Sequence, residues 1–492
     1  MMSNPVSIEV EQLSIFQYTR GQEYAGNRFE ISPRPERFKC YNGPCIRLKT
    51  SVRKGGDVTS SEAFNGIDWL KQLLLPSFGV TSVKFHGHES ELLWSYPSAG
   101  GCYPVELYVH VRRLGKVKPG LYHYNALYAS LYRISDAQSV SEYGCGLPSA
   151  GTNADVTFIL TIVPWRTCWK YSYKGYRFGM VDAGHAAANL QLMLRSLGWQ
   201  ATTYTRLRSD ELSAMLKLDH FEVPVAMIAA SAKHSLPGLN EDSVEQESYI
   251  QEIASIEPQH DDDILLFDWD PIFKFRQLVD RTVREPSDNC VTRITLPEDD
   301  KWSNYDQLLP LIVDRRSSAA FERRNLPYEQ LVTMAAFIER TGLLPTFHMV
   351  IHGIEELQAG VYRWSEEGLE CVTEGDYRDV TAGICLGQSF IRDCSVLFVF
   401  TFDMAHIPID EFSRYQQFSV DGGTLGQLIH LKSEEMGLGF SIIGGFYDDE
   451  MRALLNLTPT HQIIYAGAWG KNAWDEKEVR KDDRYIMNKP QY

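Results

Sequence analysis

The feature that most constrains this chain is a repeat. Residues Tyr176 to Leu218 lie without a gap on Tyr415 to Leu457 at an offset of 239, and Glu106 to Tyr124 lie on Thr346 to Trp364 at an offset of 240. The first register matches Tyr176, Val181, Asp182, Gly184, Gly198 and Leu218 with Tyr415, Val420, Asp421, Gly423, Gly437 and Leu457. The second sets Gly120-Leu121-Tyr122 on Gly360-Val361-Tyr362. A unit repeated at this length is a whole domain, and two linked copies are expected to pair as an intramolecular pseudo-dimer. The composition turns acidic across 240–263, so the expected division is a first domain over 1–239, an acidic linker over 240–263 and a second domain over 264–492. A charged surface helix over Val244 to Ile256 is the alternative for that acidic stretch.

Within a copy the hydrophobic period changes between strand and helix. Val105 to Val111 and Val156 to Val163 read as strands, and Gly120 to Tyr124 with Ser130 to Ile134 read as a hairpin. Phe64 to Leu75 and Val181 to Leu197 have helical spacing, the second ended by Gly198. Pro224 to Ala230 supplies another strand. The fold class is therefore α+β, repeated.

A formal net charge of -16 opposes the basic footprint that nucleic-acid binding needs. Nine cysteines at irregular spacing suit reduced thiols. The start carries no basic and apolar signal pattern, and the most apolar run, Cys394 to Phe402, is too short to cross a bilayer. These features predict a cytoplasmic protein with no membrane partner.

The copies differ where chemistry is expected. Pro97-Ser98-Ala99-Gly100-Gly101-Cys102-Tyr103-Pro104 offers a hydroxyl and Cβ-free backbone amides, whereas the same offset gives the ordinary run Phe337 to Leu344. Conversely, the second copy holds Ser441-Ile442-Ile443-Gly444-Gly445-Phe446 against Thr202 to Leu207 in the first. It also holds Asp314-Arg315-Arg316-Ser317-Ser318, read as the start of a helix. Arg315, Arg316 and Ser317 suit a phosphate, because a guanidinium fork binds its oxygens bidentately and a hydroxyl adds a donor. Gly444 and Gly445 could set backbone N–H groups against a flat ring, with a plain turn or bulge as the alternative. Each copy keeps what the other lost, so one site built across the interface is expected.

In this order these motifs, with Gly-Leu-Tyr-His-Tyr at 120–124, Gly-Tyr-Arg-Phe at 175–178 and Asp-Ala-Gly-His at 182–185, resemble the nitroreductase-like flavoproteins. The branch they resemble is the SagB/McbC-type azoline dehydrogenases, which oxidise thiazolines and oxazolines to thiazoles and oxazoles. The resemblance implies two fused nitroreductase-like domains, each a mostly antiparallel sheet flanked by helices, with FMN between them. Carried over, Arg315 and Ser317 hold the phosphate, with Arg316 beside them. Gly444 and Gly445 face one edge of the flavin, and Pro97, Ser98, Ala99 and Gly100 come from the opposite domain. Where a further basic residue often follows in that family this chain has Ala319, and Lys471 is a candidate replacement. Lys170 and Tyr171 match a catalytic Lys-Tyr pair. Oxidising an azoline removes a proton as well as a hydride, so a base is needed. Tyr173, Lys174 and Tyr176 compete for that role, and composition alone reads this stretch as an aromatic loop.

The implied substrate is an azoline in a peptide or on a carrier protein, with oxygen as electron acceptor. The implied partner is a nonribosomal peptide synthetase, as for the free-standing thiazoline oxidases, or a peptide cyclodehydratase, and a homo-oligomer is compatible. The alternatives are an NAD(P)H-dependent nitroreductase or quinone reductase, and a non-catalytic scaffold. His86-Gly87-His88-Glu89 is read as structural rather than as a metal site, His185 as a capping or interface residue at a helix start, and Cys102 as packing.

Overall fold

The computed structural model describes residues 16–17, 34–43, 45–48, 66–86, 89–136, 154–232, 255–256, 264, 267–283, 291–295, 301–365, 368–473 and 479–481. Of the acidic stretch 240–263, only Ser255 and Ile256 lie within the described residues, as do neither Gly87 nor His88. The first copy runs Gly66–Phe78 (α1), Val80–His86 (β1), Glu89–Trp94 (β2), Val105–Val111 (β3), Gly120–Asn125 (β4), Ser130–Asp136 (β5), Val156–Ile162 (β6), Trp165–Tyr171 (α2), Lys174–Ser196 (α3), Trp199–Tyr204 (β7), Ser209–Leu216 (α4) and Val223–Ala232 (β8). Then follow Asp270–Arg281 (α5), Val291–Thr292 (β9), Tyr305–Asp314 (α6), Tyr328–Arg340 (α7), Thr346–Ile351 (β10), Gly360–Ser365 (β11), Gly368–Glu374 (β12), Arg378–Ile384 (α8), Val396–Asp403 (β13), Arg414–Glu435 (α9), Gly439–Ile443 (β14), Asp448–Leu454 (α10), His461–Gly470 (β15) and Val479–Lys481 (β16).

The repeat is legible in the sheets. The first copy orders its strands β7-β8-β6-β3-β4-β5 and the second orders the equivalent ones β14-β15-β13-β10-β11-β12, all antiparallel. The central strands β3 and β6 are buried at every residue, because the sheet is covered on both faces, and they read as near-continuous apolar runs for that reason. One face of each sheet packs on the helices between the copies. The other covers a smaller cluster, with Leu212 and Met215 of α4 over the first sheet and Met451 of α10 over the second.

The two copies meet on α3 and α9. Here the repeat becomes a two-fold contact. A Cβ added at Gly184 would strike the Val420 carbonyl and fall 2.9 Å from the Gly423 Cα, while one at Gly423 would strike the Val181 carbonyl and fall 3.0 Å from the Gly184 Cα. Val181 and Val420 are themselves equivalent, so each copy presents the same patch to the other, which is the signature of an isologous interface. Thr424 Oγ1 donates to the Gly184 carbonyl at 3.2 Å across this crossing. A single apolar core, including Leu190 and Met193 of α3 and Leu428 and Ile429 of α9, runs through both copies. The chain is thus an α+β pseudo-dimer.

The sheets are not filled only by their own copy. β9 pairs with the edge strand β7, and β16 pairs with β1, so segments late in the chain complete the first copy. The helix expected over Val181 to Leu197 starts earlier, at Lys174, and a separate helix, α2, precedes it. The aromatic-loop reading of this stretch fails because its aromatics are core. Trp165, Trp169 and Tyr176 are buried, and Gly175 has no Cβ to strike the Thr167–Cys168 backbone, which a side chain would reach at 2.5 Å. Among the described residues no helix is long and apolar enough to cross a membrane.

Candidate active site

A cavity of about 980 Å³ opens between the two copies. The first copy contributes Pro97 to Gly101, Lys170, Tyr171 and one face of α3; the second contributes Ser317, the end of β14 through Gly445, and the segment around Gly383 to Gln388. Of the residues singled out in the sequence, Pro97, Ser98, Ala99, Gly100, Lys170, Tyr171, Ser317, Gly444 and Gly445 line this one space. Arg315 and Arg316 do not line it.

The loop 97–101 is held from below. Ser98 Oγ donates to Asp182 Oδ2 at 2.5 Å and accepts from the Tyr103 amide at 2.8 Å, and the Ala99 amide donates to Asp182 Oδ1 at 3.3 Å. The Ser98 hydroxyl is therefore a loop brace as well as a cavity-lining group. Gly100 and Gly101 adopt φ of +57° and +63°, which disfavours any residue with a Cβ. Gly100 has a second reason to be glycine. A Cβ there would land on Tyr171 Oη and lie 2.6 Å from Lys170 Nζ, so the catalytic candidates rest against the bare backbone of this loop.

Lys170 and Tyr171 end α2, and the chain turns sharply at Ser172, φ +51°, before α3 begins. The competitors point elsewhere. Tyr173 packs on Phe267, and Tyr176 lies buried among Phe16, Phe275 and Tyr415. Lys174 is buried, donates to Asp448 Oδ2 at 2.8 Å and to the Phe446 carbonyl at 3.0 Å, and lies 3.9 Å over the Phe446 ring. Burial drives its pKa down to about 7 against the opposing pull of Asp448. It ties α3 of one copy to the chain that follows Gly444 and Gly445 in the other.

The Arg-Arg-Ser run does not head a helix as expected. α6 ends at Asp314, its start capped by Asn304 Oδ1 at 2.9 Å from the Asp306 amide, so Arg315 stands at a helix C-terminus. The next helix, α7, begins only at Tyr328. The Arg315 guanidinium is buried against the first copy, with Nε donating to the Ser95 carbonyl at 3.0 Å and Nη2 to that of Trp94 at 3.4 Å. Its Nη1 is buried without a hydrogen-bond partner among the described residues. Burial first, and then the neighbouring Arg316 charge, lower its pKa to about 9. Arg316 donates to Ser82 Oγ and to the Arg315 carbonyl. Lys471 donates to the Gly437 carbonyl at 3.1 Å.

Several cavity residues had been given no part in the site. Phe178, Val181, Asp182 and His185 recur at i, i+3, i+4 and i+7 and form one stripe of α3 facing the cavity. His185 sits within the helix, not at its start. Burial pushes the Asp182 carboxyl up to about 8, against the bonds from Ser98 and Ala99. Burial, then the Arg315 charge, pushes His185 down to about 3, and among the described residues its Nδ1 meets no hydrogen-bond partner. Asp182 and His185 stand in the Asp-Ala-Gly-His motif, but nothing local to it sets them in a cavity. The segment around Leu386 and Gln388 carried no such motif. Gln388 Nε2 reaches the Gly445 carbonyl at 3.4 Å, and a Cβ on Gly444 would fall 2.6 Å from the Phe178 ring. Cys102 is buried and its thiol pKa is raised by burial, as a packing residue requires.

A family model described as the nitroreductase family matches this chain twice, over residues 87–230 and 312–471. The chain belongs to the nitroreductase family. The two matches fall on the two copies of the repeat, so this nitroreductase-family protein carries the domain in tandem. A Methanocaldococcus jannaschii protein named as a nitroreductase is 30% identical over 170 residues, covering 33% of this chain and 79% of its own length. The crystal structure of a nitroreductase-like protein from Anabaena variabilis superposes at a TM-score of 0.74 with 22% identity, covering 94% of this chain and 99% of that one. It therefore shares the fold over the whole tandem. A chain of the Escherichia coli microcin synthetase McbBCD complex, solved with truncated pro-MccB17, matches at a TM-score of 0.29 and 15% identity over 48% of this chain and 84% of its own, too distant to bear on the substrate.

Proposed function

We propose that this nitroreductase-family oxidoreductase is an FMN-dependent azoline dehydrogenase, converting a thiazoline or oxazoline in a peptide or on a carrier protein to the thiazole or oxazole. The single observation that carries the reading is the convergence of Lys170 Nζ and Tyr171 Oη on Gly100 inside a cavity walled by both copies. A reductase that only passes hydride needs no such pair; an azoline oxidation does, because a ring proton must leave with the hydride.

The residues fit a flavin mononucleotide. Ser317 lines the cavity and offers a hydroxyl to the phosphate, with the Arg315 charge buried two residues before it, and Gly444 and Gly445 give a wall without Cβ atoms. The Pro97 to Gly100 loop supplies the opposite wall. Bound there, FMN would supply a two-electron acceptor for the hydride, with dioxygen as the proposed final acceptor. The chain's own part is to hold the ring and take the proton. The Lys170–Tyr171 pair takes it at Nζ or Oη, Asp182 holds the loop through Ser98, and Phe178 and Leu386 keep water from the glycine wall. The substrate reaches the chain from a synthetase or cyclodehydratase partner.

The test is Lys170→Ala with Tyr171→Phe. The double variant is expected to retain flavin absorbance and to lose roughly 10²- to 10⁴-fold in turnover of a thiazoline substrate. Full turnover with flavin retained overturns the assignment. The family itself favours one other reading, an NAD(P)H-dependent reductase. Rapid anaerobic bleaching of the flavin by NADPH, with no bleaching by a thiazoline, would establish that reading instead.

A further inference from the structure

The loop that carries Gly100 is gripped from two sides. From the cavity side Lys170 and Tyr171 rest on Gly100. From the other side comes the stretch Arg34-Pro35-Glu36-Arg37, whose first residue lies 66 positions before Gly100. Arg34 Nη2 donates to the Gly100 carbonyl at 3.2 Å and to the Gly101 carbonyl. Glu91, on β2, sets Oε1 3.8 Å from Arg34 Nη1 and 3.5 Å from Arg37 Nη2. A Cβ at Gly101 would fall 2.6 Å from Glu91 Oε1 and 3.4 Å from Arg34 Nη2. Arg34 and Glu91 thus pack on the bare backbone of Gly101 as the Lys-Tyr pair packs on that of Gly100.

The clamp has a firm footing. Phe38 stacks on Trp94 of β2 with centroids 6.3 Å apart, and the Lys39 amide donates to Glu106 Oε1 at 3.0 Å. Lys39 is buried, and its Nζ donates to Tyr108 Oη at 3.2 Å and to Glu222. Arg34 therefore reaches the loop from a backbone tied into the first sheet through Glu106 and Tyr108 of β3. The loop does not supply this hold by itself. Its internal bonds run from the Gly101 amide to the Ser98 carbonyl at 3.0 Å and from the Cys102 amide to the Ala99 carbonyl at 3.2 Å, so the Gly100 and Gly101 carbonyls are met from outside. Two consecutive glycines at positive φ are a soft piece of backbone. A cationic donor shared by both carbonyls stiffens it, since a hydrogen bond from a charged group is roughly twice as strong as a neutral one.

We infer that Arg34 is a positioning residue: by holding the Gly100 and Gly101 carbonyls it fixes the surface against which Lys170 and Tyr171 are set. The catalytic part of this inference rests on the Lys-Tyr pair serving as the base proposed above; the mechanical part does not. Arg34 is not among the residues that line the cavity, so it acts through the loop. A misplacement of about 1 Å can cost on the order of 10²-fold in rate.

The test compares wild type, Arg34→Ala and Arg34→Lys, each also in the background of Lys170→Ala with Tyr171→Phe. In Arg34→Ala, hydrogen exchange at the Gly101 and Cys102 amides is expected to run roughly tenfold faster, with the core helices α3 and α9 unchanged and part of the protection recovered by Arg34→Lys. Turnover of a thiazoline by the flavin-loaded protein is expected to fall about ten- to a hundredfold in kcat at unchanged KM and flavin content. In the background without the pair it should fall no further, because residues that act in series are not additive. Loop exchange equal to wild type overturns the inference. So does an equal loss of turnover with and without the pair, since Arg34 then acts elsewhere, and so does loss of flavin from Arg34→Ala, since the loop then serves the cofactor alone. A wild type that leaves the thiazoline unoxidised fails the dehydrogenase reading instead, and the exchange result alone then decides for or against the clamp.

Discussion

Gly100 shows how much a single residue carries in this protein. Its φ of +57° and the proximity of Tyr171 and Lys170 each exclude a side chain. Gly100→Ala is expected to cost about 1–2 kcal/mol from the left-handed backbone alone, and to displace the Lys-Tyr pair, with a drop of at least tenfold in turnover. Thermal melting and steady-state rates check the two parts separately. Asp182 gives a residue-scale prediction with a sign. Its folded pKa is raised to about 8, above its ordinary value of 3.8, so between those values the folded chain holds a proton that the unfolded chain releases. Stability from this group is present at low pH and declines as pH rises toward 8, by up to ~1.4 kcal/mol per pH unit. Asp182→Asn should flatten that decline, as read from urea midpoints at pH 5 and pH 7.5. An unchanged slope would show that the carboxyl does not keep its proton.

At the scale of elements, the crossing of α3 and α9 tolerates no side chain at its centre. Gly184→Ala puts a methyl group against the α9 backbone, which cannot rotate away as a side chain could. The expected loss is at the upper end of overpacking, about 3 kcal/mol, measured as a lower denaturation midpoint. Lys174 links the same helix to the second copy through Asp448, a buried pair with Arg177 Nη2 also 3.4 Å from the carboxylate. Lys174→Met leaves Asp448 with less compensation and is expected to destabilise by roughly 3 kcal/mol, since breaking a buried pair strands a charge. A melting temperature equal to wild type would show that Arg177 suffices.

For the whole molecule, the repeat was readable because a domain's strand and helix periods survive divergence, and Val105 to Val111 appears as a strand with the bounds its residues suggest. The site was partly readable for a related reason. Glycine and serine runs such as 97–101 and 441–445 stand out when one copy has them and the other lacks them. The remainder had no local sign. Phe178, Asp182 and His185 look like ordinary helix residues until the helix is laid under the loop, and Gln388 reaches Gly445 only through the tertiary fold. Arg315 and Arg316 stand out in the chain, but their neighbours Ser95, Trp94 and Ser82 lie far off in sequence, and only packing shows that one Arg315 nitrogen has no hydrogen-bond partner among the described residues. The expected flavin content is one FMN per chain, measured by absorbance against protein concentration; two would overturn the one-site reading. The amino-acid sequence by itself determined the tandem α+β architecture, because hydrophobic period and glycine position are local properties that a repeat doubles. Only the tertiary structure decided that β9 pairs with the edge strand β7 of the first copy, because the pairing of Thr292 with Thr203 is a non-local contact that no period in the chain announces.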